Sequence, residues 1–157
     1  TAAAQIQTSH RALSKLFVRQ KKPSTCLAVC KREKMAKPPR YQVPLFNCAD
    51  IILLRSREEA KEYLSRLGLE WDMSGFNGFA YSHQREGKTP LLIMGVFVHE
   101  PSVLAHEACH LAFEICHHVG VPTNNNEMNE TFCYLVQRIV YAFLPYIQEQ
   151  QNAVKEG

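Results

Sequence analysis

The segment SVLAHEACHLAFEICHHVGVP, residues 102–122, decides how this chain is interpreted. Its residues follow the spacing of an amphipathic helix, so a long helix is predicted from about Ser102 to Val119. Ser102 is the candidate N-cap of that helix. Gly120 and Pro122 are typical of a helix end that is followed by a reversal of the chain. A second helix that folds back antiparallel on the first is therefore expected.

The remaining pattern predicts one α+β domain. Apolar runs and helix-like stretches follow each other in the order β, α, β, β, α, α, and the two middle strands are most simply joined as an antiparallel hairpin. The expected fold is a short antiparallel sheet packed against two or three helices. The predicted elements are residues 45–54, 56–68 with a helix start at Ser56 and an end at Gly68, 79–82, 91–98, 102–119 and about 127–148, the last bent or interrupted near Pro145.

Composition limits the class of protein. The chain has 157 residues and is 46% hydrophobic, which is enough for one core and excludes a largely disordered or collagen-like protein. The longest apolar run, from Leu91 to Val98, is far shorter than the roughly 20 residues of a membrane crossing, so no membrane partner is expected. No signal sequence is recognisable, and the cysteines lack the spacing of a small disulfide scaffold. The expected location is the cytoplasm.

Charge divides the chain into two parts. Residues 1–40 hold ten Lys or Arg and one acid, a net charge of +9, whereas residues 41–157 carry −6. The first part is interpreted as a basic N-terminal arm, helical near Leu13 and Phe17, and the second as the folded domain. The arm suits contact with nucleic acid or with an acidic protein. Because Phe17 is the only aromatic residue before Tyr41, stacking of bases on the arm is not indicated.

An H-E-x-x-H sequence, His106-Glu107-Ala108-Cys109-His110, lies within the predicted long helix. Residues four apart lie on the same side of a helix, so the imidazoles of His106 and His110 can bind one metal ion. Glu107 lies on the flank of that face, where its carboxylate can accept a proton from a water molecule bound to the ion. The pattern predicts one catalytic zinc ion per chain, with Glu107 as general base.

A catalytic zinc site takes a third protein ligand. In one known arrangement the helix is broken by a Gly three residues after the second His, and a His three residues further on is the third ligand. These positions are Phe113 and Cys116 here. The other arrangement takes a Glu from the following helix. Glu130 lies twenty residues after His110, and Glu127 is the competing ligand.

The combination of the H-E-x-x-H motif with Asn129-Glu130-x-Phe132-x-Tyr134 resembles the gluzincin class of zinc metallopeptidases. The region from about residue 41 to 145 is also similar to small, mostly uncharacterised metallopeptidases of bacteriophages and prophages. The resemblance implies a zincin-like pair of helices, a zinc ion bound by His106, His110 and Glu130, and hydrolysis of a peptide or protein substrate. A phage-encoded protein would act in the host cytoplasm. The class often has an acidic residue where this chain has Tyr134.

Other interpretations remain open. One is an accessory protein of a phage or prophage that keeps a structural zinc and binds a host or virion component without cleaving it. Another is a nucleic-acid-associated regulator that acts through the basic arm. Among single residues, Glu114 could support a ligand from one turn beyond His110, and a histidine near the strands, His83 or His99, could polarise a substrate carbonyl.

Overall fold

The computed structural model describes residues 37–43, 45–123 and 129–155, so the helix expected in the basic arm and Glu127 lie outside the described residues. Within them the chain forms an α+β domain with one sheet and three helices, which confirms the predicted class. In chain order the elements are β1 (Arg40–Gln42), β2 (Asp50–Leu54), α1 (Arg57–Arg66), β3 (Gly78–His83), β4 (Leu91–Val96), α2 (Pro101–Val119) and α3 (Glu130–Lys155).

The four strands form a mixed sheet in the order β1-β2-β4-β3. The predicted hairpin is confirmed, because β3 and β4 pair antiparallel from Gly78 opposite Val96 to His83 opposite Leu91. The expectation of an entirely antiparallel sheet is wrong, since β2 and β4 run parallel. The segment that contains α1 and β3 takes the chain to the far edge of the sheet, and the hairpin then returns β4 alongside β2. β1 pairs with β2 and forms the opposite edge.

Both central strands are buried on both faces, as expected for strands covered by helices on each side. Alternate residues of β2 and β4 form two cores, one beneath α1 and one beneath α2 and α3. The core beneath α2 and α3 includes Ile51, Leu53, Leu92, Met94, Leu104, Leu111, Leu135, Ile139 and Phe143. The sheet is therefore the middle layer of three.

Two helix ends match the sequence prediction. The Ser56 hydroxyl accepts a hydrogen bond from the Glu59 amide at 3.1 Å, which makes Ser56 the N-cap of α1. Gly120 ends α2 with φ 75°, a left-handed conformation that a glycine adopts without steric cost, and its amide donates to carbonyls of the last turn.

The predicted N-cap of α2 and the predicted interruption of the last helix are wrong. The N-cap of α2 is Glu100, not Ser102, because Pro101 takes the first helical position, where a missing amide costs no hydrogen bond. α3 runs without interruption through Pro145 and ends at Lys155. Pro145 is exposed, so water can satisfy the carbonyl one turn before it that loses its amide donor. No helix in the described part of the chain is long and apolar enough to span a membrane.

Candidate metal centre

α2 brings the two motif histidines together. The Nε2 atoms of His106 and His110 lie 3.1 Å apart, the ring centroids are separated by 4.8 Å, and the ring planes cross at 78°. Both side chains lie on the exposed side of the helix, while Leu104, Ala108 and Leu111 face the core. The apolar periodicity of α2 therefore turns the imidazole pair towards solvent.

The geometry of this pair can be compared with the geometry of a zinc site. Zinc–nitrogen bonds of about 2.0–2.1 Å at a tetrahedral angle separate two ligand nitrogens by about 3.3–3.4 Å. The distance between the Nε2 atoms of His106 and His110 differs from this value by only a few tenths of an ångström. The two imidazoles therefore fit the nitrogen donors of one zinc ion.

The histidine pair opens into a cleft of about 370 Å³ between α2 and the edge strand β3. One wall is formed by α2, which contributes both histidines, Glu107 and Glu114. The other wall is β3 together with the ring of Phe76, which is 47% exposed. The remaining lining residues are Gly78, Phe79, Ala80, Tyr81, Ser82 and Leu111.

Glu107 points towards the sheet and is only 6% exposed. Burial raises the pKa of its carboxyl group above the ordinary range, and the neighbouring His106 opposes this shift. Among the described residues none hydrogen-bonds the Glu107 carboxylate. A buried carboxyl group that lines a cleft and has a raised pKa suits proton transfer.

Gly78 allows Glu107 to occupy this position. A Cβ atom at Gly78 would lie 2.8 Å from Oε1 and 2.9 Å from Cγ of Glu107, closer than ordinary van der Waals contact. The sequence patterns did not predict Gly78 as part of the site. The available signal was a glycine next to a predicted strand, which often marks the close approach of another group.

Glu130 is exposed and is the first residue of α3. The preceding Asn129 caps this helix, because its Oδ1 accepts a hydrogen bond from the Phe132 amide at 2.9 Å. The Asn129 side-chain amide also donates to the Pro122 carbonyl at 2.6 Å. Asn129 therefore connects the end of the α2–α3 loop to its beginning.

Two interactions connect α2 with the first turn of α3. The rings of Phe113 and Phe132 pack with centroids 4.4 Å apart. The pKa of Cys109 is raised by burial and, to a smaller extent, by the nearby Cys133 thiol. Cys109 directly precedes His110, and Cys133 lies one turn after Glu130.

No set of three His, Cys, Asp or Glu side chains gathers in metal-binding geometry among residues 37–43, 45–123 and 129–155. The structure thus brings His106, His110 and Glu107 into one cleft but does not bring Glu130 into contact with the histidines. Glu130 remains the predicted third ligand. Of the supporting residues considered, Glu114 lines the cleft, whereas His83 and His99 do not.

Comparison with known proteins identifies no relative of this chain. No protein-family model matches the sequence. No curated protein and no solved structure is significantly similar to it. The function of the chain is therefore inferred from the residues of the cleft.

Proposed function

We propose that this chain is a zinc-dependent peptidase of the gluzincin type. One observation carries the proposal: the Nε2 atoms of His106 and His110 converge to 3.1 Å in the same cleft that contains the buried Glu107 carboxyl group. Two imidazoles and a neighbouring carboxylate are the donor and base that metal-assisted hydrolysis requires. If the H-E-x-x-H sequence had arisen by chance, there would be no reason for its histidines to line a cleft.

The cleft residues have distinct roles in this proposal. His106 and His110 hold the ion, and Glu130 at the start of α3 supplies the third donor. When bound, zinc supplies Lewis acidity that polarises a carbonyl and lowers the pKa of a coordinated water. Glu107 takes a proton from water in the cleft and returns it to the leaving amine.

β3 offers a way to hold the substrate. It is the edge strand of the sheet and forms one wall of the cleft. An extended peptide can pair its main chain with such an edge, which positions a peptide bond without requiring a particular sequence. Phe76 at the rim provides an apolar surface for a substrate side chain.

Metal content tests the histidine site. The full chain is expected to bind about one zinc ion, and His106→Ala or His110→Ala should each lose it. His117→Ala is the matched control, because His117 is an exposed histidine of the same helix, about two turns beyond His110. Elemental analysis and competition with a chromogenic chelator measure the result. Equal zinc content in the wild type and in a His106→Ala, His110→Ala double variant would refute the site.

Hydrolysis tests the enzymatic part separately. Glu107→Gln should keep zinc and lose cleavage of a mixture of internally quenched fluorescent peptides by orders of magnitude, because the base is removed and the ligands remain. His117→Ala should cleave like the wild type. If the zinc-loaded wild type cleaves no peptide in the mixture, the peptidase assignment fails and the ion has a structural role.

A further inference from the structure

A second groove lies at the opposite edge of the sheet from the candidate metal centre, between β1 and α3. Its volume is about 390 Å³. Three strand spacings separate β1 from β3, so the groove and the cleft are roughly 14 Å apart across the sheet. Among the described lining residues there is no carboxylate. We call this surface the arginine–tyrosine groove; its side chains are Arg40, Tyr41, Arg138, Tyr141, Phe143 and Tyr146.

Two arginines present their guanidinium groups here. Arg40 forms an ion pair with Asp50 on the neighbouring strand, which orients it, and its side chain is 58% exposed. Arg138 is exposed on α3, and its guanidinium lies 5.6 Å from the centroid of the Tyr134 ring. Within the described residues Arg138 forms no ion pair. At least one positive charge of the groove therefore has no ion-pair partner in the part of the chain that the structure describes.

The groove has aromatic side chains that are exposed to solvent. Tyr141 is 77% exposed, the highest value among the large hydrophobic residues on the described surface. Tyr134, Arg138 and Tyr141 follow each other at spacings of four and three residues, so they form one line about 10 Å long on the solvent face of α3. Tyr41 and Tyr146 pack against Phe143, which is buried. The groove thus has a fixed aromatic wall and an exposed ring.

We propose that the arginine–tyrosine groove binds single-stranded nucleic acid, with phosphates on Arg40 and Arg138 and bases stacked on the tyrosines. Exposed aromatic rings beside cations are the common means of holding single strands, whose bases are free to stack. A duplex keeps its bases within its own stack and offers the rings no partner.

The position of the groove in the chain supports a polyanionic partner. Arg40 is both a lining residue and the end of the segment of residues 1–40, which carries +9. A polyanion attracted by that segment is held close to the groove, which raises its local concentration there. The same kind of charge argues against residues 1–36 as the occupant, because they hold eight Lys or Arg and one acid and would be repelled by Arg138. The inference is independent of the zinc proposal.

Fluorescence anisotropy with the full chain and a labelled 20-nucleotide oligothymidylate tests this inference. Tyr141→Leu should weaken binding about 5- to 150-fold, the range of one lost stacking contact, whereas Tyr141→Phe should bind like the wild type. Leu keeps apolar bulk and Phe keeps the ring, so the pair separates stacking from general hydrophobic contact. Arg138→Ala should weaken binding more than Lys88→Ala, which removes an equal charge from the exposed turn between β3 and β4. The logarithm of affinity should fall by about 0.7 per decade of salt for each phosphate contacted.

Three results would overturn the inference. The first is no binding of the oligonucleotide at low salt. The second is a Tyr141→Leu variant that binds like the wild type, provided that circular dichroism and thermal melting show both to be folded. The third is equal affinity for a duplex or for heparin, which would show attraction to any polyanion.

Discussion

Gly78 is the position where a single methyl group tests the placement of Glu107. In Gly78→Ala the new Cβ lies 2.8 Å from Glu107 Oε1 and 2.8 Å from the Gly95 carbonyl oxygen, whereas ordinary contacts begin near 3.4 Å. Glu107 can rotate away, but the Gly95 carbonyl belongs to the paired strand β4 and cannot. The substitution must therefore displace Glu107, shift the backbone, or do both.

The expected loss of stability follows from two opposing terms. Overpacking costs about 1–3 kcal/mol, and the lower entropy of the unfolded chain after a Gly→Ala change returns about 0.4–1 kcal/mol. The net destabilisation is about 1–2 kcal/mol, which lowers the melting temperature of a chain of this size by roughly 2–8 °C. Displacement of Glu107 should lower peptide cleavage about a hundredfold, while zinc content stays unchanged.

Gly95→Ala is the matched control. The atoms nearest to a Cβ at Gly95 belong to the rings of Phe79 and Phe97, which pack in the core beneath α1. It should lower the melting temperature without the same loss of cleavage. In a Glu107→Ala background Gly78→Ala should cost less stability than in the wild type, because one of its two close contacts is gone. An unchanged melting temperature in Gly78→Ala, or full additivity in this double-mutant cycle, would refute the described contact.

Three other predictions test separate parts of the structure. Asn129→Ala should lose about 1–2 kcal/mol in urea unfolding, because the cap of α3 disappears, and Asn129→Asp should lose less. Glu130→Gln should weaken zinc affinity in chelator competition more than Glu127→Gln, and the reverse order would make Glu127 the third ligand. Deletion of residues 1–36 should leave a folded, zinc-binding chain, whereas deletion of residues 1–42 removes β1 and should lower the melting temperature by several degrees. Equal melting temperatures of the two truncated chains would show that β1 contributes nothing.

Local features were predictable from the sequence because short-range geometry determines them. The convergence of His106 and His110 follows from the helical period alone, and a single hydroxyl identifies Ser56 as a cap. The hairpin was predictable because two apolar runs flank a polar turn. Each of these features depends on residues close together in the chain.

Features that depend on distant segments were missed for one physical reason. The parallel pairing of β2 with β4 depends on which edge the chain reaches after α1, and no residue near either strand encodes that choice. The contact of Gly78 with Glu107 joins residues 29 positions apart. The groove formed by Arg40 and Tyr141 joins the two ends of the described chain. The basic segment therefore gives no sign of the exposed tyrosines, which α3 contributes from the other end of the described chain.

The Asn129-Glu130 pair shows how a motif and a fold can be connected. In the sequence, Asn129 is notable only as part of the pattern that resembles the gluzincin class. In the structure its oxygen caps α3 and its amide group holds the Pro122 carbonyl, so Asn129 determines the residue at which α3 begins. Because Glu130 is that first helical residue, the cap also determines the backbone position from which the Glu130 side chain extends. If Glu130 is the third zinc ligand, loss of the cap should weaken zinc affinity as well as stability, while Ser56→Ala, which removes the cap of α1, should affect stability alone.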